Sequence, residues 1–273
     1  MTEQAERYDR IAAGYARWWA PVLAPTATAL LDRLDAEVTA GARRLIDIGT
    51  GTATLSVAAI RRWPSVDVVG IDASRGMAEA ATAEADRLLE PADRRRFETR
   101  VAFADRLPFD DESFDAAMSS FVFQLVPNRA AALREARRVI RPGGMLAFVT
   151  WLSDNRVFQP DVVFDDVLDE IGIGAREVDD RPGDIPSVDG AVRQLRRAGF
   201  RDVTAERGLL EHAFDVEGYV RFLTEFDEED LIQSLTRKER KTVIGNLRAG
   251  LALLPKAELV LRLPVVAATG RRT

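Results

Sequence analysis

An apolar run that stops at an acid and then turns at once through two glycines decides most of what this chain can fold into: Leu45-Ile46-Asp47-Ile48-Gly49-Thr50-Gly51. A strand of continuous apolar residues belongs inside a parallel sheet that is covered on both faces. Gly49 and Gly51 lack Cβ, which admits a sharp turn and a close approach of ligand to backbone. Helix-forming residues run on from Leu55 to Trp63. Strand, turn and helix in this order make the first βα corner of a nucleotide-binding α/β sheet, with unpaired helix N–H groups facing the ligand. A ligand with a carboxylate or a sugar is expected there. The pattern recurs at Ser65 to Asp72, a second apolar run ending in an acid. Both acids then lie at the carboxyl edge of the sheet, and Asp72 stands where a ribose needs a carboxylate to accept its hydroxyl protons. The dinucleotide fingerprint fails at its third position, which holds Thr54 where Gly or Ala is expected, so no pyrophosphate is implied.

Composition narrows the function classes. The 273 residues are 47% hydrophobic and 30% charged, enough for a full core in one domain with a cap. The formal net charge of −6 disfavours a dedicated nucleic-acid binder. The chain has no cysteine and one histidine, His212, which leaves no thiolate or histidine-cluster metal site; no metal is expected. Glu3, Glu6, Arg7 and Asp9 near the start do not read as a signal peptide, and no uncharged apolar run approaches a membrane span. The expectation is a cytoplasmic protein, monomer or homodimer, acting on a small molecule with no nucleic-acid or membrane partner.

Asp47-Ile48-Gly49-Thr50-Gly51-Thr52 followed by Gly70-Ile71-Asp72-Ala73-Ser74 resembles the first two motifs of class I S-adenosylmethionine-dependent methyltransferases, nearest to the small-molecule group that includes ubiquinone and menaquinone biosynthesis enzymes. The family's first motif commonly carries a third glycine after the Gly-Thr pair; Ala53 takes that place here, which implies a slightly tighter loop. Further matches are Ala104-Asp105-Arg106-Leu107-Pro108-Phe109 after the third strand, Phe114-Asp115 opening the fourth, Arg141-Pro142-Gly143-Gly144 before the fifth, and Gly199-Phe200-Arg201-Asp202-Val203 before the sixth. The resemblance covers about Leu45 to Trp151 and thins beyond it. It implies an α/β fold: a Rossmann-like, seven-stranded, mostly parallel sheet with helices on both faces and a helical cap over the site. Residues 1–40 would form an N-terminal helical lid, 41–152 the S-adenosylmethionine-binding core, and 153–273 the remainder of the sheet with helical substrate-cap insertions, one domain overall.

The cofactor implied is S-adenosyl-L-methionine, and the residues implied to hold it are Tyr15, Asp47, Gly49, Thr50, Gly51, Asp72, Ala73, Ser74, Met77, Ala104, Asp105, Arg106 and Ser119. In relatives a tyrosine near Tyr15 closes over the cofactor, a residue near Met77 packs on the adenine, an acid like Asp105 accepts from the adenine amino group, and Ser119 lies near the methionine part. Trp18, Trp19, Gln124 and Trp151 are the expected substrate contacts, with Phe158, Phe222 and Phe226 on the helical insertions; a turn-stabilising role for Gln124 and core packing for the aromatics are the structural alternatives. The reaction implied is in-line displacement on a sulfonium methyl, in which positioning matters more than acid–base help, so no catalytic residue is assigned. His212 is the one obvious base, and its commoner reading is a hydrogen-bonded strand-end histidine.

Local patterning sets the remaining expectations. Tyr8, Ile11, Ala12, Tyr15, Trp18, Trp19 and Val22 recur at helical spacing, with Pro21 and Pro25 ending that helix and a second running from Thr26 to Thr39. Ser74 and Asn128 are N-caps, Arg94-Arg95-Arg96 is solvated surface, Arg141-Pro142-Gly143-Gly144 stops the helix that begins at Asn128, and 172–190 is a long loop. Pro264 is expected to interrupt or shorten the last, antiparallel strand. Two other functions compete: a nicotinamide oxidoreductase, which needs the missing third glycine, and a non-catalytic S-adenosylmethionine-binding protein. RNA methylation is disfavoured by the acidity, and no Asn/Asp-Pro-Pro-aromatic signature of DNA-base methylation occurs.

Overall fold

The computed structural model describes residues 3–173 and 183–273. Helix α1 (Glu3–Gly14) passes through a widened, π-helical turn (Tyr15–Trp19) into α2 (Ala20–Ala29); a 3-10 turn (Leu30–Arg33) and α3 (Asp35–Thr39) lead to strand β1 (Arg44–Ile48). Then follow α4 (Thr54–Arg62), β2 (Asp67–Asp72), α5 (Arg75–Leu88), α6 (Pro91–Arg94), β3 (Phe97–Val101), β4 (Phe114–Ser120), α7 (Arg129–Val139) and β5 (Ile140–Trp151). The remainder is α8 (Gln159–Glu170), α9 (Val188–Arg197), β6 (Arg201–Ala213), α10 (Val216–Phe222), a second π-helical turn (Leu223–Asp227), α11 (Glu229–Ser234), α12 (Arg237–Leu253) and β7 (Val260–Arg271).

The strands make one seven-stranded sheet in the order β3-β2-β1-β4-β5-β7-β6. From β1 the chain moves outward through β2 to β3, then returns to the other side of β1 with β4, so the direction of winding reverses between β1 and β4. In open α/β sheets ligands bind outside the carboxyl ends of the strands at such a reversal. Pairing is parallel from β3 to β5, with Asp47 level with Gly70 and Met118 across its two neighbours. β7 is antiparallel to β5. The expected mostly parallel, seven-stranded sheet is thus present.

Contacts divide the chain into two compact units: Met1–Ser153 with Pro182–Gly208 and Pro264–Thr273, and Asp154–Arg181 with Leu209–Leu263. The first unit buries the apolar strands, Ile46, Ile48, Val69, Ile71, Leu146 and Phe148, against stripes such as Leu133, Ala136 and Val139 of α7. The second has its own core. Val243, Leu247 and Leu251, four apart on α12, are buried, as are Phe164, Val167 and Leu168 of α8, and the two helices pack together. Tyr219 is buried among Phe158, Phe214 and Phe222, and its hydroxyl donates to Asp161.

Several local expectations need correction. Pro21 and Pro25 do not end the first helical segment. Pro21 lies in the first turn of α2, where its missing N–H is no loss, and Pro25 is tolerated inside it. The adjustment falls upstream: the Ala20 N–H reaches back five residues to the Tyr15 carbonyl, as a π turn requires. The segment expected as one helix over 26–39 is broken by the 3-10 turn. Arg141-Pro142-Gly143-Gly144 does not stop α7, which ends at Val139; it lies within β5 as an irregularity, because pairing jumps from Phe114 with Ile140 to Ala116 with Met145. Pro264 does not interrupt β7. It sits just outside the ladder to β5, which begins at Val265, so its missing donor is not needed there. Ser74 and Asn128 do cap their helices, accepting from Met77 and Ala131. The loop expected over 172–190 falls largely outside the described residues.

Candidate functional site

The β1–α4 turn is built by backbone conformations that ordinary side chains resist. Gly49 (φ +73°), Gly51 (φ +54°) and Ala53 (φ +63°) are all left-handed. The Gly49 and Thr50 N–H groups both donate to the Ile71 carbonyl at 2.8 Å, which folds the turn onto the end of β2. A Cβ at position 49 would lie 2.2 Å from Val122, so glycine is required there by space as well as by φ. Gly70 is needed for a different reason: Thr50 packs over it, and a Cβ would stand 2.8 Å from the Thr50 hydroxyl.

The two motif acids occupy distinct environments. Asp47 is 1% exposed. Its Oδ2 accepts from Ser56 at 2.6 Å and from Thr50 at 3.0 Å, while its Oδ1 has no partner. Burial, reinforced by the nearby Asp72 charge and only partly offset by the two hydroxyls, pushes the Asp47 pKa up to about 6. Asp72 accepts from the Gly51 N–H at 3.0 Å and the Ser74 N–H at 2.9 Å, and burial raises its pKa too. It thereby ties the glycine turn to the start of α5, and its oxygens retain lone pairs for further donors.

The other expected residues surround this corner to different degrees. Asp105 lies in a tight turn closed by Arg106 N–H to the Phe103 carbonyl, just beyond β3, while Ala102 is bonded to the Asp72 carbonyl. Asp105 and Ala104 are half-buried, Arg106 exposed. Met77 is buried in the first turn of α5, and Ala73 lies half-buried between Asp72 and the Ser74 cap. The Ser119 hydroxyl, fully buried, donates to the Ile48 carbonyl at 2.7 Å and so fastens β4 to β1. Gln124 spends its amide inside the loop after β4, donating to the Phe121 carbonyl at 2.7 Å and accepting from Thr150, the turn-stabilising arrangement.

The N-terminal segment stands against the same turn. The Tyr15 ring lies 4.0 Å from where a Gly51 Cβ would sit, and Tyr8 meets Tyr15 edge-on at 5.9 Å. Burial, with the charge of Asp72 close by, drives the Tyr15 phenol well above its ordinary range, so it keeps its proton at neutral pH. Trp19 packs on Trp151 at 6.4 Å and Trp151 on Phe121 at 4.3 Å, an aromatic group at the carboxyl ends of β4 and β5. Trp18 is half-buried beneath the Arg17 guanidinium. His212 belongs to the second unit, where it meets Phe214 edge-on and burial lowers its pKa.

Three contributors escape the sequence patterns: Ser56, Val122 and Asp9; Tyr8 is legible only as a member of the helical stripe, not as the neighbour of Tyr15 at the turn. Of the three, Ser56 alone carried a signal, as a hydroxyl set on an otherwise apolar helix face between Leu55 and Val57.

A family model described as a methyltransferase domain matches residues 46–148. The chain is 31% identical over 174 residues to the ubiquinone/menaquinone biosynthesis C-methyltransferase UbiE of Geobacter sp. (strain M21), covering 60% of this chain and 72% of that protein. It belongs to the class I S-adenosylmethionine-dependent methyltransferases. This methyltransferase is also 30% identical over 179 residues to a malonyl-acyl-carrier-protein O-methyltransferase of Geobacter sulfurreducens, covering 65% of this chain but only 63% of that protein. Its fold matches the crystal structure of the cyclase SpnF with a TM-score of 0.57 at 17% identity, covering 92% of this chain and 81% of that one. A cyclase on this fold shows that architecture alone does not choose the reaction.

S-adenosylmethionine is the cofactor of the family, and the residues present suit it. Asp47 Oδ1 is a buried acceptor without a donor, and an α-ammonium is such a donor. Asp72 retains lone pairs beyond those taken by Gly51 and Ser74, a match in chemistry for hydroxyl donors. Among the described residues no helix is long and apolar enough to cross a membrane.

Proposed function

We propose that the enzyme methylates a small apolar or aromatic metabolite, and that positioning dominates over acid–base catalysis. The observation carrying this reading is the aromatic group Trp19, Trp151 and Phe121 beside the loop after β4, in the same unit as the glycine turn. Flat apolar walls favour a planar substrate and exclude water. Bound S-adenosylmethionine supplies a methyl group on a sulfonium, open to in-line displacement. In this reading Asp47 holds the ammonium, Asp72 the ribose hydroxyls and Asp105 the adenine edge, with Gly49, Thr50 and Gly51 lending backbone and Met77 apolar surface.

Among the described residues, two titratable groups beside the turn that could act as a base are both occupied. Tyr15 holds its proton too tightly, and Asp47 Oδ2 is engaged by Ser56 and Thr50 while its Oδ1 is reserved in this reading for the ammonium. Acceptors that are already nucleophilic, such as an electron-rich ring carbon or an acidic phenol, therefore suit it best. The activity named for the Geobacter sp. relative, C-methylation in ubiquinone/menaquinone biosynthesis, supports this class.

The test is incubation with methyl-labelled S-adenosylmethionine and a panel of quinols, phenols, amines and carboxylic acids. Label is expected in the ring compounds, and Trp151→Ala should raise KM for them more than it lowers cofactor affinity. Label confined to amines or carboxylates would refute the substrate class. Cofactor binding with no labelled product from any acceptor would favour a non-catalytic binding protein.

A further inference from the structure

Asp9, on α1, is separated from α5 by more than sixty positions in sequence, yet its Oδ1 accepts from the Ser74 hydroxyl at 2.5 Å and from the Gly76 N–H at 2.8 Å. These donors belong to the first turn of α5, whose unpaired N–H groups favour a negative charge. The approach is close: a Cβ at Gly76 would stand 3.0 Å from the Asp9 carbonyl oxygen and 3.1 Å from its Cα. The same turn also holds Asp72, because Ser74 gives its N–H to Asp72 and its hydroxyl to Asp9. Six residues further along the chain from Asp9, at the start of the π-helical turn, Tyr15 reaches the Gly51 turn. Asp9, Ser74, Asp72, Gly51 and Tyr15 thus form a continuous ring of contacts around one corner.

We propose that Asp9 is a latch: it fastens α1 to the start of α5, sets Tyr8 and Tyr15 over the glycine turn, and thereby governs how fast the cofactor and its demethylated product leave. Asp9 is a positioning residue that touches neither reactant. The proposal rests on the placement of the cofactor at Asp47, Asp72 and the glycine turn. The hydroxyl and N–H of α5 hold the Asp9 carboxyl below its usual range, so the latch is charged throughout the neutral range. A neutral acceptor in its place would lack the charge assistance of these two bonds.

The test uses the full chain and S-adenosylhomocysteine as the probe, with tryptophan fluorescence followed in stopped flow. Asp9→Ala, which removes both hydrogen bonds to the start of α5, should release the probe at least about tenfold faster. Gly76→Ala should act in the same direction without lowering thermal stability, since alanine favours the helix while its methyl pushes α1 away. Without ligand, trypsin should cut after the exposed Arg7 and Arg10 faster in both variants, because cleavage follows the open population. Unchanged release and unchanged cleavage in both variants would overturn the latch. Asp72→Ala distinguishes the two levels: wild-type affinity in that variant would remove the cofactor from this corner, whereas the tryptic rates test the latch whatever binds there.

Discussion

Asp47 couples this enzyme to pH. Its carboxyl titrates near 6 in the folded chain against an ordinary 3.8, so between those values the folded state holds a proton that the unfolded state has lost. Stability from this residue is therefore present at low pH and falls as pH rises through that window, by about 3 kcal/mol in all. Asp47→Asn is expected to remove the dependence: its stability relative to the wild type, followed by urea unfolding without ligand, should improve steadily from pH 4 to pH 7. A flat difference would place the charge elsewhere. A cationic ligand group at the unpartnered Oδ1 favours the ionised form, so S-adenosylmethionine should bind more tightly as pH rises through 6, with proton release visible by calorimetry in buffers of different ionisation enthalpy. Asp72→Ala should weaken binding by about 1.5–3 kcal/mol, as for hydrogen bonds to a charged group. Ala53 is the third residue with a clear expectation. Its left-handed backbone suits glycine, but it is fully buried, so Ala53→Gly should change stability by less than about 1 kcal/mol. Ala53→Val, β-branched at positive φ, should destabilise far more in the same melting experiment.

Elements are joined here by arginines whose role the linear sequence conceals. Arg96 reads as one of three adjacent surface cations, yet its guanidinium donates to the Ile60, Trp63 and Val66 carbonyls and to Asp93. It closes the C-terminus of α4, satisfies carbonyls left open by the end of that helix, and holds the lead-in to β2. Arg138, on α7, similarly binds the Leu107 and Phe109 carbonyls along with Glu135 and Asp111. Arg96→Met is predicted to cost about 2–3 kcal/mol in urea unfolding, because it strands buried carbonyls without touching the apolar core. Charge runs do not reveal such staples, since the partners are backbone groups on other elements. Pro21 and Pro25 mislead for a related reason: proline forbids a donor at one position, and whether a helix ends or merely widens depends on what packs around it. By contrast Ser74 and Asn128 were legible as caps, because their partners lie three residues away on the same strand of chain.

At the scale of the whole molecule, the sheet order places the ends of β1, β2 and β3 side by side and opens the reversal between β1 and β4. A ligand gripped there binds only the folded state. At 100 times its Kd, S-adenosylmethionine should stabilise the protein by about 2.7 kcal/mol, readable as a rise in Tm of several degrees. NAD at the same concentration should produce no shift, since the turn lacks the third glycine position of a dinucleotide site. A rise with NAD and none with S-adenosylmethionine would contradict the assignment of the corner.

Local order along the chain determined much of this. Apolar runs ending in acids, glycines at a turn and caps ahead of helices act within a few residues of one another, and they specified a parallel α/β sheet with its carboxyl edge at Asp47 and Asp72. What lies on the inner face of each element was decided only in three dimensions. Ser56 became the partner of Asp47, Val122 the wall behind Gly49, Arg96 the cap of α4 and Asp9 the anchor of α1, each through a contact that periodicity does not encode. The physical reason is that a hydrogen bond or a close packing depends on distance in space, and the fold brings these pairs together from positions between nine and seventy-three residues apart.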